Sequence, residues 1–297
     1  MRRIRRVLDF ASPLEPSNLY GHLAATAVPG VEEWRDGRYR ATVRLRGGPA
    51  IVAVAPPQDD RIEAELLLTD PRDEEDAVRR VRHLLDLDLD PAAMARVLRA
   101  DPALGPLVAA APGRRVPGTL DPPAMAIRAV LGQQVATAAA RTLTGRLVAS
   151  LGEPVEDPDG GLTHLFPDAR TILARWADAS AVLRMPDSRR RTVAVVAEAL
   201  ASGVVDLTAP TPAVRAALLA LPGVGPWTAD TVLMRSLGDP DAFLAGDLGI
   251  VLAARRLGLP DRLKDLERRS RAWSPYRAHA VQYLWATGSH AVNAMPA

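Results

Sequence analysis

Between two helical runs the chain reverses direction within four residues, Pro222-Gly223-Val224-Gly225, and this turn limits the fold more than any other stretch. Before it, "TPAVRAALLAL" reads as a helix capped by Thr211 and opened by Pro212. After it, "PWTADTVLMRSLG" reads as a helix opened by Pro226 and ended near Gly238. So short a connection makes the pair a tight helix–hairpin–helix. Glycine permits a positive φ, and its missing Cβ lets another backbone come close. The turn presents backbone N–H groups beside the positive end of the second helix, which is a ready anion site. A DNA phosphate would fit it without demanding any base sequence; a plain αα-corner with a glycine cap would use the same residues.

Two textures meet near Pro91. Before it, "RYRATVRLR" (Arg38–Arg46) alternates polar and apolar residues, "GGP" turns, "AIVAVA" (Ala50–Ala55) returns, and "RIEAELLLT" (Arg61–Thr69) offers a third strand. Helices flank them: "SNLYGHLAATAV", with Ser17 as N-cap, and "EEDAVRRVRHLLDL", with Val78, Val81 and Leu85 on one face. This predicts a small α+β unit with an antiparallel sheet. After Pro91 helical segments recur and no convincing strand remains; "PPAMAIRAVLGQQVATAAARTLTGRLVASLG" reads as one long helical stretch and "VEDPDGG" as a surface turn. There is no internal repeat.

A chain of 297 residues suffices for roughly two or three packed units. No apolar run approaches the roughly 18 residues of a membrane span. The basic start "MRRIRRVLDF" is followed by "ASPLEPSN", so no signal-peptide h-region develops and a cytoplasmic location is expected. The absence of cysteine excludes disulfides, thiolate zinc sites and cysteine-ligated iron–sulfur clusters. The net charge of +2 does not by itself argue for nucleic acid. Of the 37 basic residues, however, Lys264 alone is lysine. Arginine's planar fork suits phosphate, although a GC-rich coding bias would produce the same composition.

"LPGVGPWTA" with Asp247 placed 22 residues beyond Gly225 resembles the helix–hairpin–helix DNA glycosylases, whose hairpin is followed by a catalytic Asp. The segments "HLAATAVPGVE" (His22–Glu32), "IRAVLGQQV" (Ile127–Val135) and "WSPYRAHAVQYLW" (Trp273–Trp285) are similar to the 3-methyladenine DNA glycosylase II, or AlkA-type, branch in its expected order. That resemblance spans nearly the whole chain. It implies a mainly α protein with an N-terminal α+β domain, the three-domain AlkA-like fold: residues 1–90; a helical domain 119–238 with the hairpin; and a second helical domain, 91–118 plus 239–297, carrying Asp247. It further implies a monomer that excises alkylated purines of the 3-methyladenine and 7-methylguanine type from double-stranded DNA, in base excision repair.

The resemblance also assigns roles. Asp247 would be catalytic; Trp227, Trp285 and Gln133 would belong to the base pocket. His22, Thr231, Leu248 and Ala286 stand where the branch tends to place aromatic residues, which leaves substrate breadth open. Gly223, Val224, Gly225 and Thr228 would meet DNA, and Gln134 falls where the family wedges a side chain into the gap left by the flipped base, although an exposed helix-end residue would look the same. The carbonyls of Leu219, Leu221 and Val224 would bind Na⁺ or K⁺; no other cofactor and no iron–sulfur cluster is expected. Relatives with lyase activity carry lysine at the position of Trp227, so a monofunctional enzyme is expected. "SRRRT" (Ser188–Thr192) and Arg268–Arg269 are candidates for phosphate contact or for a solvated face. Another lesion, oxidised or deaminated, and a non-catalytic lesion-binding protein are the alternatives.

The chemistry is consistent with those roles. Extruding a base costs about a few kcal/mol of stacking and pairing. The glycosidic bond breaks through a cationic sugar, which an ionised carboxylate stabilises, and an alkylated, cationic base favours aromatic walls. Asp247 also opens the helical pattern "LGIVLAARR", so it serves as an N-cap, a catalytic acid or both.

Overall fold

The computed structural model describes residues 1–208 and 212–297; Thr211, the expected cap, lies outside them. The N-terminal part holds five strands and two helices: β1 (Arg2–Asp9), α1 (Ser17–Thr26), β2 (Glu32–Arg35), β3 (Arg38–Leu45), β4 (Gly48–Val54), β5 (Arg61–Leu68) and α2 (Glu74–Leu84). Helices α3 (Pro91–Arg99), α4 (Gly105–Ala110), α5 (Pro122–Leu131) and α6 (Thr137–Leu151) follow. A short pair, β6 (Glu153–Pro154) and β7 (His164–Leu165), precedes α7 (Ala169–Ala174), α8 (Trp176–Val182), α9 (Asp187–Ala201), α10 (Pro212–Leu219) and α11 (Pro226–Val232). The chain ends with α12 (Leu248–Arg256), α13 (Leu263–Ser270) and α14 (Arg277–Trp285).

The sheet is antiparallel in the order β1-β5-β4-β3-β2. Three strands were expected; β1 and β2 are the additions, both at edges. Charge hides them: β1 carries arginine at positions 2, 3, 5 and 6 and is mostly exposed, as an edge strand can be. Leu19, Tyr20 and Leu23 of α1 and Ala77, Val81 and Leu84 of α2 fill one face of the sheet, packing on Val43, Val52, Ile62 and Leu66. Ser17 does not cap α1; it is the first helical residue, and its N–H donates to the Glu15 carboxylate at 2.8 Å.

Two expectations beyond Pro91 need correction. The long helix breaks into α5 and α6 at Gly132–Ala136, where Gln134 adopts φ +53. And a strand pair does occur: β6–β7 lies against the sheet's second face, where Val155, Leu162 and Leu165 pack on Ile51 and Leu67. Covering both faces explains why β3 to β5 are buried along most of their length, not only at alternate residues. "VEDPDGG" is therefore more than a surface turn. The Asp157 carboxylate is 1% exposed and accepts hydrogen bonds from Arg40 at 2.8 and 3.0 Å.

The helical part has one contiguous core, from Met94 and Leu98 through Ile127, Val196 and Val232 to Leu284. Arg115, fully buried, joins the N-terminal part to the helices. Its guanidinium donates to the carbonyls of Asp86 (3.3 Å), Leu89 (3.2 Å), Ala11 (2.5 Å) and Pro13 (3.1 Å), while burial lowers its pKa. Arg115→Met leaves four carbonyls without that donor and should cost about 3 kcal/mol or more, seen as a lower midpoint in thermal or urea unfolding. Arg115→Lys should restore little, because one ammonium cannot span the fork; an unchanged midpoint for either variant would remove the tie's importance.

Candidate active site

The hairpin lies between α10 and α11, and its two glycines play different parts. Gly223 has φ +84, and a Cβ built there would fall 1.9 Å from Thr192 Oγ1 on α9, so this position needs both the left-handed backbone and the missing side chain. Gly225 has φ −96 and ψ 176, an ordinary extended backbone, and nothing lies within 4 Å of its built Cβ. Gly223 packs inward; Gly225 leaves the outer surface bare for whatever approaches. Arg215 of α10 braces the pair through a fork to Asp230 of α11, at 2.6 and 3.0 Å.

Gln133, at the end of α5, holds the hairpin from behind. Its Nε2 donates to Gly223 O at 3.1 Å and to Thr228 Oγ1 at 2.9 Å. Gln134, next along, is exposed in its left-handed turn. After Val232 the second helix widens into a π-helical turn (Leu233–Leu237) and stops at Gly238 with φ +69.

Asp247 ends the following loop and starts α12. Its Oδ1 accepts the N–H of Ile250 at 3.1 Å, so it is an N-cap. The same Oδ1 accepts the indole N–H of Trp285 at 2.8 Å, and Oδ2 accepts that of Trp227 at 3.1 Å. Three elements, α11, α12 and α14, thus converge on one half-buried carboxylate. The three donors fix the orientation of both carboxylate oxygens. Gly249 makes this possible: a Cβ there would fall 3.0 Å from both Asp247 Oδ1 and Trp285 Cδ1.

Behind Trp285 lies a buried cation. The Arg235 guanidinium sits over the Trp285 ring, 5.7 Å from its centre, donates to Pro117 O at 2.6 Å and reaches His22 Nδ1 at 3.4 Å. Burial, with Arg128 adding to it, lowers the Arg235 pKa to about 9.

The segment 5–121 matches the family model of the AlkA N-terminal domain. Over 296 residues the chain is 30% identical to the DNA-3-methyladenine glycosylase 2 of Escherichia coli K12, covering 94% of this chain and 96% of that one. The chain belongs to the DNA-3-methyladenine glycosylase 2 (AlkA) family. A protein of Mycobacterium tuberculosis H37Rv, named a probable bifunctional transcriptional activator/DNA repair enzyme AlkA, is 48% identical over 291 residues. That match takes in 97% of this chain and only 58% of the longer relative. The fold agrees with the 3-methyladenine DNA-glycosylase of Archaeoglobus fulgidus at a TM-score of 0.81, with 21% identity over 96% of this chain and 97% of that one.

Of the site residues expected from the AlkA family, Asp247, Trp227 and Trp285 meet directly, and His22 joins them through Arg235. Gln133 is bonded to the hairpin and to the buried Thr228, the residue after Trp227. Thr231 is buried, its hydroxyl donating to the Trp227 carbonyl at 2.7 Å, while Leu248 is 72% exposed. In the hairpin the Leu221 carbonyl accepts the Val224 N–H at 3.1 Å. Arg189 and Arg191 of α9 have no acidic partner among the described residues and lie within a turn of Thr192, against the hairpin. Arg190 pairs with Asp187, Arg268 with Asp265, and Arg269 with Asp101 while covering Trp273. A cleft of about 1360 Å³, between α2, the starts of α5 and α7 and the end of α9, includes neither Asp247 nor the two tryptophans.

Sequence reasoning missed Arg235 and Gly249. The first had a signal, a lone charge inside the apolar run "TVLMRSL"; the second had none, since its neighbours come from α14. Gly249→Ala should push the Trp285 indole off Asp247. The indole N–H resonance of Trp285 should move upfield while that of Trp227 changes less, at a stability cost of about 1–3 kcal/mol for overpacking. Unchanged resonances would show that the helix start yields instead.

Proposed function

We propose that the chain hydrolyses the N-glycosidic bond of alkylated purines in duplex DNA, releasing the free base and leaving an intact abasic site. The observation that carries this reading is the Asp247 carboxylate held by two indole N–H groups and a helix N-terminus beside the hairpin. Membership of the AlkA family supports it, as does the 3-methyladenine activity in the names of the relatives from E. coli and A. fulgidus. Oxidised bases have no comparable support.

The mechanism follows from the groups present. Hairpin N–H groups around Gly225, at the start of α11, bind a phosphate, and Arg189 and Arg191 add sequence-independent attraction. Gln134, exposed and turned outward at φ +53, fills the gap left by the extruded nucleotide. Trp227 and Trp285 hold the base and Asp247 together. As the C1′–N bond lengthens, the sugar gains positive charge and Asp247 stabilises it with charge that needs no reorganisation. Water then adds to C1′ and loses a proton. The position that carries a lyase lysine in bifunctional relatives holds Trp227, and Lys264 is exposed on α13, away from these contacts.

The carbonyls of Leu219, at the end of α10, and of Leu221 and Val224, in the hairpin, would hold a monovalent cation; they are neutral oxygens, and no cluster of acidic or imidazole groups suited to a divalent metal occurs among the described residues. Such an ion would add positive charge beside the bound phosphate.

Asp247→Asn separates capping from charge, because asparagine caps about as well as aspartate. Single-turnover release of 7-methylguanine should slow by about 10²–10⁴-fold with the melting temperature nearly unchanged, whereas Asp247→Ala should lose stability too. The DNA product should remain uncut until alkali is added. An Asn variant that is both fast and stable would leave Asp247 as a cap only.

Gly225→Val tests the hairpin. The change is tolerated by the backbone but places two methyl groups on the bare surface, so affinity for abasic-site DNA should fall by at least about tenfold at constant salt, as for lost phosphate contacts. Wild-type affinity in a folded Gly225→Val variant would rule out phosphate binding at this turn.

A further inference from the structure

Arg235 is held at both ends, and the two holds meet at one residue of α2. Its side chain donates to Pro117 O at 2.6 Å and lies over Trp285. Its main chain lies in the π-helical turn Leu233–Leu237, just before the helix stops at Gly238. A carbonyl so close to a helix end has lost its intrahelical partner. The N–H groups of Gly238 and Asp239 both go to Leu233 O, and Pro240 has none to give. His83, at the end of α2, supplies the missing donor, its Nε2 lying 3.1 Å from Arg235 O. A carbonyl only accepts, so Nε2 carries the proton.

The surroundings of His83 fix that contact. Gly118 lies against one edge of the ring, where a Cβ would fall 3.0 Å from Cδ2 and would also press on the His83 carbonyl. Gly238 lies against the other edge, where a Cβ would fall 3.1 Å from Cε1 and 3.2 Å from Nδ1. Nε2 is the ring atom between those edges, and it faces Arg235 O. Gly118 also donates its N–H to Leu84 O at 2.9 Å. Pro117, which accepts from the Arg235 guanidinium, is therefore anchored to the same end of α2 as the histidine that holds the Arg235 main chain.

We propose that His83 is a positioning residue for base release: its hydrogen bond to Arg235 O fixes the π-helical turn, and with it the guanidinium that backs Trp285 and keeps the Trp285 indole on Asp247. The proposal rests on the glycosylase reading above. Three contacts make the path, 3.1 Å from His83 to Arg235 O, 5.7 Å from the guanidinium to the centre of the Trp285 ring, and 2.8 Å from the indole N–H to Asp247 Oδ1. A π-helical turn holds one residue more than an α-helical one. Without the donor from α2 the turn is free to relax towards α-helical bonding. Losing that residue's share of a turn rotates the side chains in it by up to about 100°, which carries the guanidinium off Trp285. His83 itself stands half-buried on the wall of the 1360 Å³ cleft, so replacing it leaves no sealed cavity.

The test uses the full chain and a 7-methylguanine duplex under single-turnover conditions with saturating protein. His83→Leu removes the donor and keeps a side chain of similar bulk. Base release should slow by about 10–100-fold, the cost of misplacing a catalytic group by about 1 Å. Affinity for abasic-site DNA should stay within about threefold of wild type, because the hairpin is untouched. The Trp285 indole N–H resonance should move upfield. His83→Gln, whose Nε2 restores the donor, should recover most of the rate and return the resonance. Arg235→Met should slow release by itself, and adding His83→Leu to it should slow release little further, since both changes act on one contact. A histidine that only stabilises the fold would lower the melting temperature and leave rate and resonance unchanged. That outcome, full additivity of the two changes, or no recovery in His83→Gln would overturn the proposal and leave the glycosylase reading standing. If His83→Leu does not fold, His83→Asn, too short to reach Arg235 O, takes its place with the same expectations. No release of 7-methylguanine by the wild type would overturn that reading and this one together.

Discussion

The site depends on one carboxylate accepting from three elements at once. Asp247 takes a backbone N–H from α12 and two indole N–H groups, one from α11 and one from α14. Each donor would be worth little if exposed, but together they orient both oxygens and keep negative charge where a cationic sugar would form. The arrangement makes Asp247 a cap without using up its oxygens: Oδ1 caps while Oδ2 is left with a single indole. A cap is rigid by construction, so the group on which chemistry would depend sits on a helix start rather than on a free loop.

Around that point the structure uses glycine and glutamine as spacers and braces. A methyl group on Gly249 would press on Asp247 Oδ1 and Trp285 Cδ1 at 3.0 Å, and Gly223 has no room for one because Thr192 of α9 lies against the hairpin. Gln133 then ties the end of α5 to that hairpin. Through these bonds Gln133 sets where the hairpin stands relative to Gln134, one residue later, and hence the spacing between the proposed phosphate grip and the proposed wedge.

Buried arginines join the parts. Arg115 binds four carbonyls from two loops, and Arg235 spans from Pro117 to His22 and Trp285. Neither has a carboxylate partner in these contacts. Carbonyl groups satisfy a guanidinium without the cost of burying a second charge, and burial lowers the pKa of both residues. Through Arg235 the N-terminal α+β part, which lies far from Asp247 in sequence, is joined to Trp285 and so to Asp247.

The sequence by itself determined what local rules control. The hairpin glycines, the proline-opened helices, the Asp247 cap and the β3–β4–β5 meander all follow from backbone preference and periodicity over a few residues, and the motif spacing pointed to the AlkA family. The edge strands β1 and β2, the break between α5 and α6 and the β6–β7 cover were not legible in the same way, because charged edges and short pairings carry little local signal. What only the tertiary structure decided is which distant groups meet: Trp285 with Asp247, Gln133 with the hairpin, Arg235 between His22 and Trp285. These contacts join residues up to 213 positions apart. They are settled by how helices pack, so periodicity, which specifies the face of an element, says nothing of the partner that face will find.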